Sequence, residues 1–417
     1  MAPAGRPSFA ALRSSGFRFL FFGTAVTMLA DNIEHVISYW AMFQKFHSAA
    51  LGGFAVVSHW LPFLLFSIYA GALAERFDPR RIIQLGMLLF MGVSVCWGLL
   101  FLTGTLQIWH ACVLLILHGI AGVLWNPPTQ LLLHDIVGPV DLPSAVRLTA
   151  TARQLGMLIG PAVGSVMLIV LGPAHGILLN ALIYLPMFLW LWKAPYGPRF
   201  RQGAPRPVRA LRGLADIVET FARIRTNSVL LCMTLLAGAT AFFIGNSYQA
   251  QMPEFAQALG HGDPGVTYML LLGADAAGAL IGGLVLESRG LLRPNPRTAI
   301  ILAMLWCAAL GGFALCRSYP LAVPLLFVAG FVELSFNSMA QALVQLNAPA
   351  EIRGRAIGVF AMAAQGMRTF SGVSVGLVGG LLGIHWSLAL AAGVLFISIS
   401  ALLARTSAAV AAEQEPQ

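Results

Sequence analysis

Charged residues and cysteines are scarce in this sequence, and each shortage excludes a class of protein. Only 10% of the 417 residues are charged, whereas an ordinary soluble domain has about 25%. Hydrophobic residues make up 58% and the mean hydropathy is +0.80, which excludes a water-soluble fold. The cysteines lack paired spacing, so neither a disulfide framework nor a metal site is predicted; they are Cys96, Cys112, Cys232, Cys307 and Cys316. Without a phosphate-binding loop or a nucleophile beside a base, we expect no enzyme.

Long apolar runs predict an all-α membrane protein. Windows of about 20 apolar residues, bounded by Arg, Gly or Pro, mark twelve membrane-spanning helices. Six lie near 17–43, 51–75, 82–104, 108–134, 145–171 and 176–194, and six near 228–252, 265–288, 298–316, 320–345, 356–382 and 386–405. The chain then divides into an N-terminal six-helix bundle (1–194), a basic cytoplasmic linker (195–227) and a C-terminal six-helix bundle with a short cytoplasmic tail (228–417).

A repeat with an offset of 212 residues relates the two halves. Gly71 and Glu75 recur at this offset as Gly283 and Glu287. Further pairs have the same offset: Arg13 with Arg225, Arg81 with Arg293, Gly160 with Gly372, and Gly164 with Gly376. An internal repeat of this kind predicts two pseudo-symmetric bundles.

Positive charges predict the orientation of the helices. If both termini are cytoplasmic, 21 of the 25 Lys and Arg residues lie on the cytoplasmic side, as the positive-inside rule requires. The net charge of +9 then reflects membrane topology, and we expect anionic lipid at the linker and no nucleic-acid partner. We expect a bacterial-type cytoplasmic (inner) membrane.

Three motifs carry a resemblance to a known family. They are GALAERFDPRR at 71–81, GMLIGPAVGS at 156–165, and PAEIRGRAIG at 349–358, the last with DLPSAVRLTATARQLG at 141–156. Together they resemble the major facilitator superfamily, in its enterobactin-exporter-like and macrolide-efflux-like branch. Glu75 replaces the usual Asp of the first motif and keeps its charge, while Ser165 replaces the last glycine of the second, which is associated with antiporters.

The motifs also predict how the protein opens and closes. Gly156, Gly160 and Gly164 share a helix face that lets a neighbouring backbone approach, and Pro161 permits bending. Glu75 is expected to reach the start of helix 11, and the resemblance implies that this latch closes the cytoplasmic side when the cavity faces outward. The predicted gating residues are Gly71, Glu75, Arg76, Arg80, Arg81, Asp135, Gly156, Gly160, Pro161, Gly164, Glu287, Arg353 and Arg355, with Asp135 as a partner for Arg76 or Arg81.

Ionisable residues within the predicted spans are costly and therefore informative. Asp31, Glu34 and His35 share one face of helix 1, and His118 lies at a similar depth on helix 4. The resemblance implies that helices 1, 4, 7 and 10 line a cavity, so these four residues resemble a proton-exchange cluster. The alternatives are a hydrogen-bonded interior role for His118 and a gate-lining role for Glu34.

A second group of ionisable residues is predicted in the C-terminal half. Glu333 and Arg368 lie at equal depth on neighbouring helices, which predicts an ion pair, and Asp275 competes for the same arginine. Structural pairing and a role in proton coupling stay open for all three. Arg153 either extends to the membrane surface or faces the cavity and binds an anionic group.

Aromatic and amide side chains suit an amphiphilic ligand. The predicted substrate contacts are Asp31, His59, Trp60, Trp125, Asn126, Arg153, Asn246, Gln249, Glu333 and Asn337. We therefore predict a secondary transporter, a monomer without a cofactor, that uses a proton gradient to export a small amphiphilic molecule. Siderophore or drug-like cargo comes from the resemblance. The alternatives are a lysophospholipid flippase, which the Asp31–Asn32 pair also resembles, a siderophore importer, and a non-transporting membrane sensor.

Overall fold

Helices make up nearly all of the computed structural model, which describes residues 8–200, 214–259, 264–289, 294–371 and 381–412. The first half contains α1 (Ser15–Phe46), α2 (Ala49–Arg76), α3 (Pro79–Leu102), α4 (Ile108–Ile183) and α5 (Leu185–Lys193). There follow α6 (Leu214–Thr226), α7 (Ser228–Phe243), α8 (Ser247–Ala250), α9 (Met252–Ala258), α10 (Pro264–Ser288), α11 (Pro296–Leu315), α12 (Tyr319–Asn347), α13 (Arg353–Ala361), a π-helical turn (Met362–Gly366) and α14 (Ile384–Ala412). No strand occurs within these ranges.

Two glycines divide the long helix α4 into the fourth, fifth and sixth predicted spans. Gly138 and Gly172 have φ angles of 67° and 74°, in the left-handed region that glycine enters without steric cost. Each is followed by a proline, and proline suits the first turn of the next helical stretch. The fifth span therefore runs over 139–171, and the sixth continues through α5.

Eight segments of the described chain are long and apolar enough to cross a membrane, with Ile108–Lys193 counted as one of them. Large side chains on the outer surface, such as Ile169 and Ile397, are exposed and suit contact with lipid tails. Buried side chains form one core in the C-terminal half around Trp306 and Phe336 and others in the N-terminal half around Phe90 and Trp97. The twelve-helix, two-bundle fold predicted from the sequence is confirmed.

Three parts of the helix prediction need comment. The seventh span is interrupted, because Gly245 has a φ angle of 49° and α7 ends before it. The eleventh contains the π-helical turn, and its part at 372–380, with Gly372 and Gly376, lies outside the described residues. So do 201–213 of the linker, Arg293 and the last five residues of the tail.

Candidate functional site

A cavity of about 500 Å³ lies between the two halves. Its walls come from α1, α2, α4, α10, α12, α13 and the turns next to α7 and α13. All ten residues predicted as substrate contacts line it, and so do His35, Asp275 and Arg368. The structure therefore brings the predicted substrate contacts of both halves to one cavity.

The imidazole of His118 lies between two carboxylates in the N-terminal half. Its Nε2 is 2.9 Å from Oδ1 of Asp31, and its Nδ1 is 2.8 Å from Oε1 of Glu34. The hydroxyl of Ser94 donates to the other oxygen of Glu34. Asp31 lines the cavity, whereas Glu34 and His118 are buried behind it. The two α1 carboxylates and α4 are thus joined through one ring, which we call the His118 bridge.

Hydrogen counting fixes how many protons the His118 bridge contains. Each of the two N···O contacts needs one hydrogen between the atoms. A neutral imidazole supplies only one, because its other nitrogen is an acceptor. The second hydrogen comes from a second ring N–H, which makes the ring an imidazolium, or from a protonated carboxyl. Two ionised carboxylates and a neutral histidine would have one hydrogen for the two contacts. The bridge therefore contains one additional, exchangeable proton.

Three histidines, two at the cavity wall and one buried behind it, are close enough together to hold a metal ion. Ligand atoms of His35, His59 and His118 lie within 4.8 Å of one another. The sequence analysis considered cysteines alone as metal ligands and did not predict this cluster. Both ring nitrogens of His118 already contact carboxylates, so a metal bound by all three rings would break the His118 bridge. These contacts favour the bridge over a three-histidine metal centre.

Tyr248 joins two carboxyl groups in the C-terminal half. Its hydroxyl oxygen is 3.1 Å from Oδ2 of Asp275 and 3.1 Å from Oε2 of Glu333, and the amide of Gln249 donates to Asp275 over 3.0 Å. A phenol has one hydrogen, so it donates to one carboxyl and accepts from the other, which is then protonated. Tyr248 was missed because the sequence gives depth along a helix and no signal for a shared hydroxyl.

The predicted Glu333–Arg368 ion pair is wrong for this conformation. No carboxylate oxygen in the described chain lies within 4.0 Å of the Arg368 guanidinium. That group is 5.0 Å from the ring centre of Trp60, and its Nε donates to the carbonyl of Ala364. Equal depth did not produce a pair because the arginine is turned across the cavity toward α2.

Arg153 faces the cavity and does not extend to the membrane surface. Its guanidinium lies 5.6 Å from the ring centre of Trp125, and both residues line the cavity. Of the two interpretations given for Arg153, the structure therefore agrees with the position at the cavity.

One end of the cavity is closed by contacts between the halves. We call it the motif end, because it carries residues 71–81. Oε1 of Glu75 accepts from the backbone N–H of Arg355 over 2.8 Å, and Oε2 accepts from its Nε over 3.0 Å. Asp216, on the linker helix α6, contacts the same guanidinium over 3.4 Å. The Glu75–Arg355 contact, called the first latch, joins α2 to the start of α13, where a helix N-terminus favours a carboxylate.

A second latch joins the halves at the same end. Nη2 of Arg147 lies 2.8 Å from Oε2 of Glu287, and the hydroxyl of Ser144 donates to the other oxygen. The repeat placed Glu287 at a gate, but its partners were missed. Both glutamates of the repeat therefore reach across to the opposite half.

The other predicted gating residues have more varied contacts. Nη1 of Arg353 lies 3.5 Å from Nδ1 of His134, which belongs to the opposite half. Asp135 follows His134 in the chain. Arg80 is buried and bound to Asp78 and the carbonyl of Ala194, within its own half. The remaining two arginines lie near aromatic rings, Arg76 over Phe77 and Arg81 over Trp192, and Arg81 also donates to Gln84.

The glycine face of the fifth span packs against α1. A Cβ atom on Gly156 would lie 2.5 Å from Cβ of Met28, and one on Gly160 would lie 2.5 Å from Cβ of Asn32. A Cβ atom on Gly164 would lie 3.1 Å from Cα of Ile33. This glycine face therefore packs directly on the helix that carries Asp31 and Glu34.

A cavity between two helical bundles, closed at one end by ionic latches and lined with charged groups inside the spans, defines a secondary transporter of the major facilitator superfamily. The chain belongs to the transmembrane secretion effector family of that superfamily, whose model matches residues 6–417. The family consists of multi-span membrane transporters and not of enzymes.

Two curated relatives are similar to part of the chain. The staphyloferrin A transporter of Staphylococcus aureus is 23% identical over 277 residues, 64% of this chain and 66% of that protein. Macrolide efflux protein A of Streptococcus pyogenes is 21% identical over 281 residues, 65% of each chain. The matches thus span slightly less than two thirds of these relatives.

Two solved structures have the same fold. The human organic anion transporter MFSD10 has a TM-score of 0.72 at 16% identity, with 93% of this chain and 98% of that chain covered. The Escherichia coli fucose:proton symporter FucP, solved in the outward conformation, has a TM-score of 0.71 at 12% identity, with 93% and 97% covered.

Proposed function

We propose that this chain is a proton-coupled transporter that moves a small amphiphilic molecule across the membrane by alternating access. The observation that carries the proposal is the His118 bridge, in which Asp31 lines the cavity and shares a proton with a buried ring. Proton exchange with the transport path needs a carboxyl that the cavity can reach and a buried partner that keeps the proton when the path is dry.

The bridge couples the proton to helix packing. When the extra proton leaves, one N···O contact of His118 loses its hydrogen and two acceptors face each other. That contact must lengthen, which loosens the link between α1 and the fourth span, the part of α4 that carries His118. Because α1 packs on the glycine face of the fifth span, a shift of α1 also moves the fifth span. That span carries Arg147 of the second latch.

The two latches support one conformational state, with the motif end closed. With the basic side of the membrane as the cytoplasmic side, the motif end faces the cytoplasm and both termini lie there. The two latches support an outward-facing state, in which both must break before the cavity opens inward. We propose a monomer surrounded by membrane lipids, with the proton gradient as its energy source.

Export in exchange for protons is the first coupling mode. A siderophore-like or drug-like cargo is supported by the names of the two curated relatives, a staphyloferrin A transporter and a macrolide efflux protein. The Gly-Pro motif of the fifth span supports the same direction. Protonation from outside would then accompany release of cargo.

Proton-linked uptake is the second coupling mode, and a different observation favours it. Arg153 and Arg368 face the cavity with no carboxylate within 4.0 Å in the described chain. An anionic cargo would neutralise them, and an anion and a proton enter a site together more readily than in exchange.

The test is proton movement when erythromycin, ethidium or a citrate-based siderophore is added to the detergent-purified protein. Wild type is compared with Asp31→Asn and with Glu254→Gln, which removes an exposed carboxylate of α9. Proton release that is absent in Asp31→Asn and retained in Glu254→Gln indicates export by exchange. Proton uptake with the same pattern indicates co-transport. Binding without proton movement contradicts proton coupling and favours lipid flipping, and binding without flux in proteoliposomes favours a sensor.

A further inference from the structure

The two cavity arginines are held in place by aromatic rings and not by carboxylates. Arg153 lies 5.6 Å from the ring centre of Trp125, and Arg368 lies 5.0 Å from that of Trp60. A ring within about 6 Å attracts the charge of a guanidinium and uses none of its N–H donors as a hydrogen bond to oxygen would. Of these donors, the Nε of Arg368 is used by the Ala364 carbonyl. Two cations at membrane depth thus keep donors for a ligand.

Uncharged donors beside Arg153 also have no protein acceptor. Nε1 of Trp125 and Nδ2 of Asn126 are buried without a hydrogen-bond partner, in side chains that are 5% and 4% exposed and line the cavity. The Asn126 amide is oriented by Gln130, whose Nε2 donates to its oxygen over 2.8 Å. The free group of Asn126 is therefore the donor. This part of the wall presents hydrogen-bond donors and positive charge together.

We propose that the cavity binds an organic anion, with carboxylate or phosphate oxygens between Arg153 and Arg368 and apolar groups against the surrounding aromatic wall. The inference rests on the proposed function only in taking the cavity as the transport path. Unpaired buried donors and charges are costly, and an anion with several oxygens satisfies donors of both kinds. Arginine forks bind such oxygens in pairs. The volume of about 500 Å³ suits a drug-sized molecule.

The test is binding of 2-naphthoate and of 2-naphthamide, which have the same shape and differ in charge, by calorimetry on the detergent-purified full-length chain. We expect wild type to bind the carboxylate about 10- to 100-fold more tightly, because charged hydrogen bonds are worth about 1.5–3 kcal/mol. Arg153→Gln and Arg368→Gln should each remove most of this preference. Arg317→Gln, an exposed arginine after α11, should retain it. Arg368→Lys should recover part of it, which shows that the site is folded.

A second pair of probes identifies the source of the anion. Lysophosphatidylglycerol and lysophosphatidylcholine differ in net charge but not in general shape. Preference for the former with no binding of naphthoate assigns the site to a lipid headgroup, and preference for naphthoate alone assigns it to a soluble cargo. Both results agree with an anion-binding site in the cavity.

Three results would overturn the inference: equal affinity for naphthoate and naphthamide without preference among the lysolipids, an equal loss in Arg317→Gln, or no binding of any anionic probe at millimolar concentration. None of them depends on proton movement. A protein that binds the anion and moves no proton would contradict proton coupling and leave the anion site established.

Discussion

Replacing His118 with leucine is expected to abolish proton-linked transport and to lower the free energy of unfolding by about 3–5 kcal/mol, the cost of removing one member of a buried charged group. The bridge gives Asp31 and Glu34 a shared hydrogen-bonded partner. Without the ring, the two carboxyl groups remain in the membrane interior, with the Ser94 hydroxyl as a donor to Glu34 and Nδ1 of His35 3.7 Å from Asp31. Thermal unfolding in detergent and proton flux in proteoliposomes measure the two effects.

A rescue experiment separates folding from function for this variant. Adding Glu34→Gln to His118→Leu removes one buried charge and should recover much of the lost stability, while transport stays absent. His175→Leu, which replaces an exposed histidine near the start of the sixth span, should change neither property. Transport that persists in the double variant would show that protons pass elsewhere, with the Tyr248 group as the next candidate.

A methyl group added at Gly71 should prevent closure of the motif end. A Cβ atom there would lie 2.1 Å from the carbonyl oxygen of Gly354, and this neighbour is backbone that cannot turn aside. Overpacking costs about 1–3 kcal/mol, and here the cost falls only on the closed state. We expect Gly71→Ala to shift the balance toward the inward-open state by about 5- to 150-fold. Labelling of Gln130→Cys from the cytoplasmic side, in a cysteine-free background, would measure the shift.

Two other glycine variants serve as comparisons for Gly71→Ala, one at the equivalent position of the repeat and one on the outer surface. A Cβ atom at Gly283 would also meet a neighbour at 2.1 Å, but that neighbour is the side-chain oxygen of Thr151. Gly283→Ala should therefore have a smaller effect, and Thr151→Ala should relieve it. A Cβ atom at Gly92 of α3 would meet nothing within 4 Å, so Gly92→Ala should label like wild type. Equal labelling of the Gly71 and Gly92 variants would contradict the steric argument.

The fold could be predicted because membrane helices depend on simple properties of the sequence. Length and apolar composition determine which segments span, and the 212-residue offset determines that there are two related bundles. The depth of each polar residue follows from the rise per residue, so Asp31, His35 and His118 were placed at a similar level without tertiary information. The alignment of α1 with α4 across the cavity wall then required only that both face inward.

The features that were missed depend on rotation about helix axes and on local breaks. Arg368 and Glu333 share a level, but the arginine is turned toward Trp60, and no property of the sequence reports that turn. Tyr248 follows the break at Gly245, which ends the regular periodicity of the seventh span. Arg147 was missed for another reason: the position at the repeat offset is Val359, so the second latch uses a partner that the duplication does not show.

Asp216 has a consequence for the speed of each transport cycle. The guanidinium of Arg355 is held by Asp216 on the linker helix and by the carbonyl of Glu351 in the C-terminal half, as well as by Glu75. When Glu75 withdraws, the other two contacts can keep the arginine in position. A free arginine side chain loses about 1.5–2 kcal/mol of rotamer entropy on being ordered, and here most of that loss has already occurred. The first latch can therefore re-form after every turnover without a search by its arginine, so that reclosure is limited by the motion of the helices alone.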